Sequence, residues 1–206
     1  MPSTASTTTR ILDLSAVFDN IGASRAAATS TGAFNVWRNS FSAEHLPEPG
    51  TTVTVDEVPF LVPPFGTGGP DNVRCAGQLL EVQPDRYDWL YLLAAAERRV
   101  EDEVALHFAD GTVDFEALRL SDFWAAPAVF GESEAFRTPA MHYPQHVQFG
   151  VPAGLFCQRV PVTRRAPLAG VRLPRNTAVH VFAATLLRAA AAAGGPRTTD
   201  LTGAGR

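Results

Sequence analysis

Proline and glycine interrupt this chain so often that few segments could run as a helix of ordinary length. Sixteen of each are spread through 206 residues. A proline inside a helix removes a hydrogen bond and clashes with the preceding turn, and an interior glycine also weakens it. The apolar stretches between these breaks alternate with polar residues instead. In "TTVTVDEVPFLV" (51–62) the valines predict a hairpin, Val53–Val55 against Val58–Leu61. Its turn falls at Asp56-Glu57, and Pro59 favours an edge position. In "EDEVALHFADGTVDFEALRL" (101–120), Val104, Leu106 and Phe108 alternate up to an Asp110-Gly111 turn, and Val113, Phe115 and Ala117 continue beyond it. "NVRCAGQLLEV" (72–82) reads as one or two strands bent at Gly77. "YDWLYLLAAAE" (87–97) fits either a buried strand or a helical turn, since a continuous apolar run has no diagnostic period. With 154–162, 168–174 and 178–187 the series reaches about ten short strands at roughly ten-residue spacing. That pattern predicts an all-β fold, a two-sheet β-sandwich or jelly roll.

The length suits one domain. Composition marks residues 1–9 and 189–206 as disordered tails and 10–188 as a single sandwich domain. The formal net charge of −4 excludes the basic surplus expected of a nucleic-acid groove. All 17 basic residues are arginine. No apolar run reaches about 18 residues, so no membrane-spanning helix is expected. The polar start "MPSTASTTTR" is unlike a secretory signal, which places the protein in the cytoplasm. Cys75 and Cys157 are then expected as free, buried thiols. There is no Gly-rich phosphate loop, nucleophile elbow or Cys-x-x-Cys pair.

A set of fragments in fixed order carries a resemblance: "ILDLSAVFDNIG" (11–22), "NSFSAEHLPEPGTTVTVDEVPFLVP" (39–63), "PDNVRCAGQ" (70–78), "ADGT" (109–112), "DFW" (122–124) and the final "AVHVFAATL" (178–186). Together they resemble a β-sandwich module widespread in actinobacteria. That module is often attached to secreted glycoside hydrolases and is similar in style to galactose-binding-like carbohydrate modules. The resemblance implies a galactose-binding-like sandwich and sugar binding. It fixes no ligand-binding residues. The absence of a hydrolase domain and of an export signal suggests a use in intracellular small-molecule metabolism.

The segment "RTPAMHYPQHVQ" (137–148) offers the densest polar set. His142 and His146 are four apart, and Pro144 between them argues for an extended segment, in which i and i+4 share a face. Arg137, His142, Tyr143, His146 and Gln148 are expected to form a ligand rim, and two imidazoles could serve as acid and base. Zinc would need three or four ligands, more than this segment supplies. His107 and His180 lie in apolar strands and read as hydrogen-bonded structural residues. Trp37, beside Asn35, Arg38 and Asn39, and Trp124, beside Asp122, are candidate platforms for a sugar ring, while Trp89 reads as core. Asp19-Asn20 and Asp71-Asn72 could hold a structural calcium, but such pairs are also ordinary turn formers. Glu132 and Glu134 lie close together, and nothing in the sequence marks either as buried.

These residues support three readings. The first is non-catalytic binding of a carbohydrate or sugar-bearing small molecule, with no cofactor, nucleic acid or membrane involved. The second is a small biosynthetic enzyme of lyase, cyclase or hydrolase type on the same scaffold, with His142 and His146 as acid–base groups or metal ligands. The third is an interaction protein whose sheet edge pairs with a partner strand. The oligomeric state is not legible in the sequence.

Overall fold

Alternation does become strand. A computed structural model of the chain describes residues 8–124 and 127–188. In chain order the first strands are β1 (Thr8–Leu12), β2 (Ala23–Ser24), β3 (Ser40–Ser42), β4 (Thr52–Val55), β5 (Val58–Leu61), β6 (Val73–Arg74) and β7 (Leu79–Asp85). They are followed by β8 (Trp89–Ala96), β9 (Val100–Phe108), β10 (Val113–Leu120), β11 (Ser133–Tyr143), β12 (His146–Pro161), β13 (Leu168–Arg172) and β14 (Val179–Arg188). The helical content described is three short 3₁₀ turns, at Ser15–Val17, Ala26–Thr31 and Ala43–His45.

An eight-stranded sheet runs β1-β14-β8-β12-β11-β3-β2, with β6 also paired to β14. A four-stranded sheet runs β10-β9-β13-β7. The first core fills the space between them, where Leu90, Leu92 and Val181 of the large sheet meet Val104, Leu106, Leu118 and Val171 of the small one. This is the expected β-sandwich.

The large sheet also carries a second core on its other face. Leu93, Leu155 and Phe182 pack there beneath Phe34, Phe41, Phe60 and Phe123. The β4–β5 hairpin and the segment after it supply Val58, Phe60, Val62 and Phe65 to this layer. "YDWLYLLAAAE" is therefore a strand: Leu90, Leu92, Ala94 and Ala96 serve one core while Leu93 and Ala95 serve the other. Two-sided burial removes the polar alternation that would have identified it.

Both expected hairpins form. Asp56 and Glu57 take left-handed φ values of 50° and 64°, as a two-residue turn matched to strand twist requires. The second hairpin turns through Gly111 at φ +85°, and Gly77 bends the chain between β6 and β7 at φ +88°. Thr8 and Thr9, assigned to a tail by composition, belong instead to β1, where Thr8 opposes Arg188 and Thr9 opposes Leu187. Pairing with β14 holds them in the sheet, which composition could not indicate. The remaining expected tail residues, 1–7 and 189–206, lie outside the described residues. Cys75 and Cys157 are free and buried, and burial pushes the Cys157 thiol up to about 12. Among the described residues no helix is long and apolar enough to cross a membrane.

Phe182 joins the aromatic cluster of the second core, with ring centroids 5.8 Å from both Phe41 and Phe65, and it is 1% exposed. Phe182→Ala is expected to lower unfolding free energy by about 3–5 kcal/mol. Phe115→Ala, at a side chain 64% exposed, should change it by less than about 0.5 kcal/mol. Urea denaturation of the two variants checks both figures.

Candidate functional site

Burial of β14 draws His180 to 0% exposure, so its ring nitrogens need partners. A polar ladder supplies one of them. At its inner end Asp71, also 0% exposed, accepts the backbone N–H groups of Gly22 at 2.7 Å and Ala23 at 2.9 Å. Asn72 Nδ2 donates to Asp71 Oδ1 (2.8 Å), to the Asn20 carbonyl (3.1 Å) and to Asn20 Oδ1 (3.2 Å). With its amide nitrogen facing three acceptors, Asn72 must present Oδ1 to His180 Nδ1, 2.8 Å away. Nδ1 therefore carries the ring proton. The other nitrogen, Nε2, faces Glu97 Oε1 at 3.6 Å and has no hydrogen-bond partner.

Glu97 carries the ladder outward. It meets Arg74 Nη2 at 3.5 Å and lies near the Val36 backbone N–H. Arg74 is anchored in turn, its Nε donating to the Thr177 carbonyl at 3.1 Å and its backbone N–H to Asp19 Oδ1 at 2.7 Å. Of the four residues considered for calcium, Asn20, Asp71 and Asn72 thus form the inner part of this ladder, and Asp19, exposed, accepts the Arg74 and Gln78 N–H groups. Among the described residues no group of three or more His, Cys, Asp or Glu is placed to share a metal ion.

Trp37 stands over the outer end. Its loop is locked by Asn35, whose Oδ1 accepts the backbone N–H groups of Trp37 (3.1 Å) and Asn39 (2.9 Å). Phe34 N–H donates to the Asn39 carbonyl at 2.9 Å, and Arg38 reverses the chain at φ +59°. Phe34 packs inward against the His180 ring, centroids 4.3 Å apart. The loop thereby projects Val36 and Trp37, which are 72% and 67% exposed. Below them lies a cleft of about 360 Å³, lined by Val36, Trp37, Arg74, Glu97, Arg98 and Asn176 among others. Trp124, 44% exposed, reaches the same end of β8, because Asp122 bridges Ala96 and the Phe123 N–H bonds the Ala96 carbonyl at 2.9 Å.

The histidine segment has a different geometry from the one expected. "MHYPQHVQFG" is a hairpin and not one strand: β11 ends at Tyr143, β12 begins at His146, and these two residues oppose each other. Opposed residues share a face, so Tyr143 and His146 stack with centroids 5.1 Å apart, while His142 points the other way. His142 is wholly buried, bonded through Nδ1 to Ser24 Oγ at 2.9 Å, with Glu44 Oε2 4.0 Å from Nε2. His146 Nε2 meets Gln148 Oε1 at 3.2 Å, and Arg137 pairs with Glu134. The two imidazoles share no cleft, and the structure does not bring the five-residue rim together. Glu132 is buried, its carboxylate capping the backbone N–H groups of Ser121 and Phe130 at 2.7 and 2.9 Å. Trp89 is half-buried, with the Arg159 guanidinium 5.1 Å from its ring centroid.

Of the cleft residues, the sequence pointed to Trp37 alone. Arg74, Glu97 and Arg98 come from segments with no recognisable motif. The one available signal was the charged "ERR" (97–99) ending an apolar run. A second hollow of about 350 Å³, bounded by Leu12, Phe18, Leu61, Pro64 and Phe182, is almost wholly apolar.

Burial pushes His180 and His142 below the ordinary imidazole value, opposed in each case by the facing carboxylate. Burial pushes Asp71 up to about 6, despite its N–H donors. The signs oppose each other. A depressed histidine destabilises the fold as pH drops below 6.5 and the unfolded ring takes up a proton, whereas a raised carboxyl stabilises it as pH drops through about 6. Urea denaturation between pH 8 and 5 should therefore show a steeper acid loss in Asp71→Asn than in wild type. His180→Gln should show a shallower one.

The AziU2-like β-sandwich domain family matches residues 8–190. None of the curated proteins compared with the chain is a match. The matched span takes in every described strand, the ladder and the Trp37 cleft. A carbohydrate-module character and attachment to glycoside hydrolases are not part of that match. On a correspondence of this extent, the chain belongs to the AziU2-like β-sandwich domain family.

Proposed function

We propose that this protein binds a carbohydrate or sugar-bearing small molecule, without catalysis, in the cleft beside Trp37. The observation that carries the reading is an indole 67% exposed on a loop whose backbone is locked by Asn35. An exposed aromatic held in place loses little entropy on binding, and a flat ring suits the apolar face of a pyranose. Asn176, Thr177 and Arg98 line the same cleft and offer donors and acceptors for hydroxyl groups. Glycoside hydrolysis needs two carboxylates flanking the bond. Glu97 is the single carboxylate lining this cleft among the described residues, and it is already paired with Arg74.

A second reading rests on a separate observation. Val36, Trp37, Trp124 and Val129 are 72%, 67%, 44% and 52% exposed, and exposed apolar surface of this kind also suits a protein partner.

A panel of immobilised glycans and nucleotide sugars tests the first reading. Retention of at least one class, with affinity reduced about tenfold or more in Trp37→Ala, is expected from losing a stacking contact of roughly 1.4 kcal/mol. Trp37→Ala should fold normally because the indole is mostly exposed. No retention, or retention indifferent to Trp37→Ala, would count against sugar binding and leave the surface to a protein partner.

A further inference from the structure

The charges lining the Trp37 cleft do not balance. Arg74 and Arg98 stand against one carboxylate, Glu97, on a chain whose formal net charge is −4. Glu97 is turned inward. Its side chain is 14% exposed, that of Arg74 is 43% exposed, and it faces Arg74, the Val36 N–H and the His180 ring. Arg98 is exposed at the cleft and has no ion-pair partner among the described residues.

The ladder stands behind Glu97. Asn72 is held by three acceptors at its nitrogen, so His180 donates its Nδ1–H to Asn72 Oδ1 and turns Nε2 toward Glu97. A neutral ring leaves the cleft one positive charge in excess. A protonated ring adds a second. The Glu97 carboxylate is paired with Arg74, not with Arg98.

We infer that the ligand of the Trp37 cleft carries an anionic group of carboxylate or phosphate type, bound by Arg98 with Arg74 beside it, next to the ring that stacks on Trp37. This rests on the sugar-binding reading for its ring and on the charge layout for its anion. Hydrogen bonds to an ionised acceptor are stronger than neutral ones, and a guanidinium matches carboxylate and phosphate in geometry. A uronic acid or a sugar phosphate has both parts, whereas a neutral hexose has only the ring.

Galacturonate and galactose differ at one carbon, carboxylate against hydroxymethyl, and make the comparison direct. Each is titrated into the full chain while Trp fluorescence is followed. Sodium phosphate is titrated separately at constant ionic strength, with the arginine Nε–H resonances followed by NMR. Galacturonate is expected to bind at least tenfold more tightly than galactose, and Arg98→Gln, a surface change that leaves the fold intact, should erase that difference. Phosphate should shift the Arg98 resonance in wild type. Equal affinity for the two sugars, indifferent to Arg98→Gln, would overturn the anion and keep the ring site. A phosphate-dependent shift at Arg98 with neither sugar bound would keep the anion site and overturn the sugar reading. No response to any of the three probes would overturn both.

Discussion

The paired strands β8 and β14 are buried on both faces, and the remainder of the fold is arranged around that. Each residue of the pair must suit one of two cores. Leu90, Leu92, Val181 and Leu186 face the space between the sheets, while Leu93, Phe182 and Ala183 face the aromatic layer. A slip of one residue would exchange the two sets, so the register is specified twice over. Small residues make the double packing possible: Ala94, Ala95, Ala96 and Ala184 are all 0% exposed and let both layers approach the sheet closely. A register shift between Val181 and Ala183 lets β14 serve both cores along its length.

This constraint creates the polar problem that the site solves. His180 is carried inward with β14, and an imidazole left unbonded in a core would cost about 1–3 kcal/mol per orphaned group. Asn72 meets one nitrogen and is itself oriented by Asp71 and Asn20. The segments involved are distant in sequence: Asp71 binds the backbone just before β2, Asn72 binds β14, and Glu97 follows β8. One ladder thus ties the edge of the large sheet to its centre. It ends at Glu97, on the wall of the cleft that Trp37 also lines.

Those parts of the structure governed by local chemistry were legible in the sequence. Asp56-Glu57 and Asp110-Gly111 marked hairpins because each tight turn needs left-handed backbone, at both residues in the first and at Gly111 in the second, and leaves its flanking alternation intact. Trp37 stood out because Asn35, Arg38 and Asn39 beside it are planar polar groups of the kind that meet sugar hydroxyls. The β8 run was ambiguous because burial on both faces erases period two. The histidine segment misled because its spacing is the same for a straight strand and for a two-residue turn, and the Pro144-Gln145 turn reverses which side chains share a face. Arg74, Glu97 and Arg98 could not be gathered from the sequence, since the pairing of β6 with β14 and of β14 with β8 is what brings them to one end.

The ladder is also a poor means of stabilising a fold. A buried carboxyl raised to about 6 is largely ionised at neutral pH against the pull of its surroundings. Two buried histidines are held neutral there. Apolar residues of similar volume often replace such groups without loss, or with a gain, in stability. What they could not replace is direction. Asp71 and Asn20 orient the Asn72 amide, the amide selects the His180 tautomer, and the ring nitrogen left over faces Glu97. Each of these hydrogen bonds fixes the orientation of the next group, and 3.6 Å beyond the ring stands the carboxylate on the wall of the cleft. The energetic cost is concentrated along one line of residues, and that line ends beneath the exposed indole.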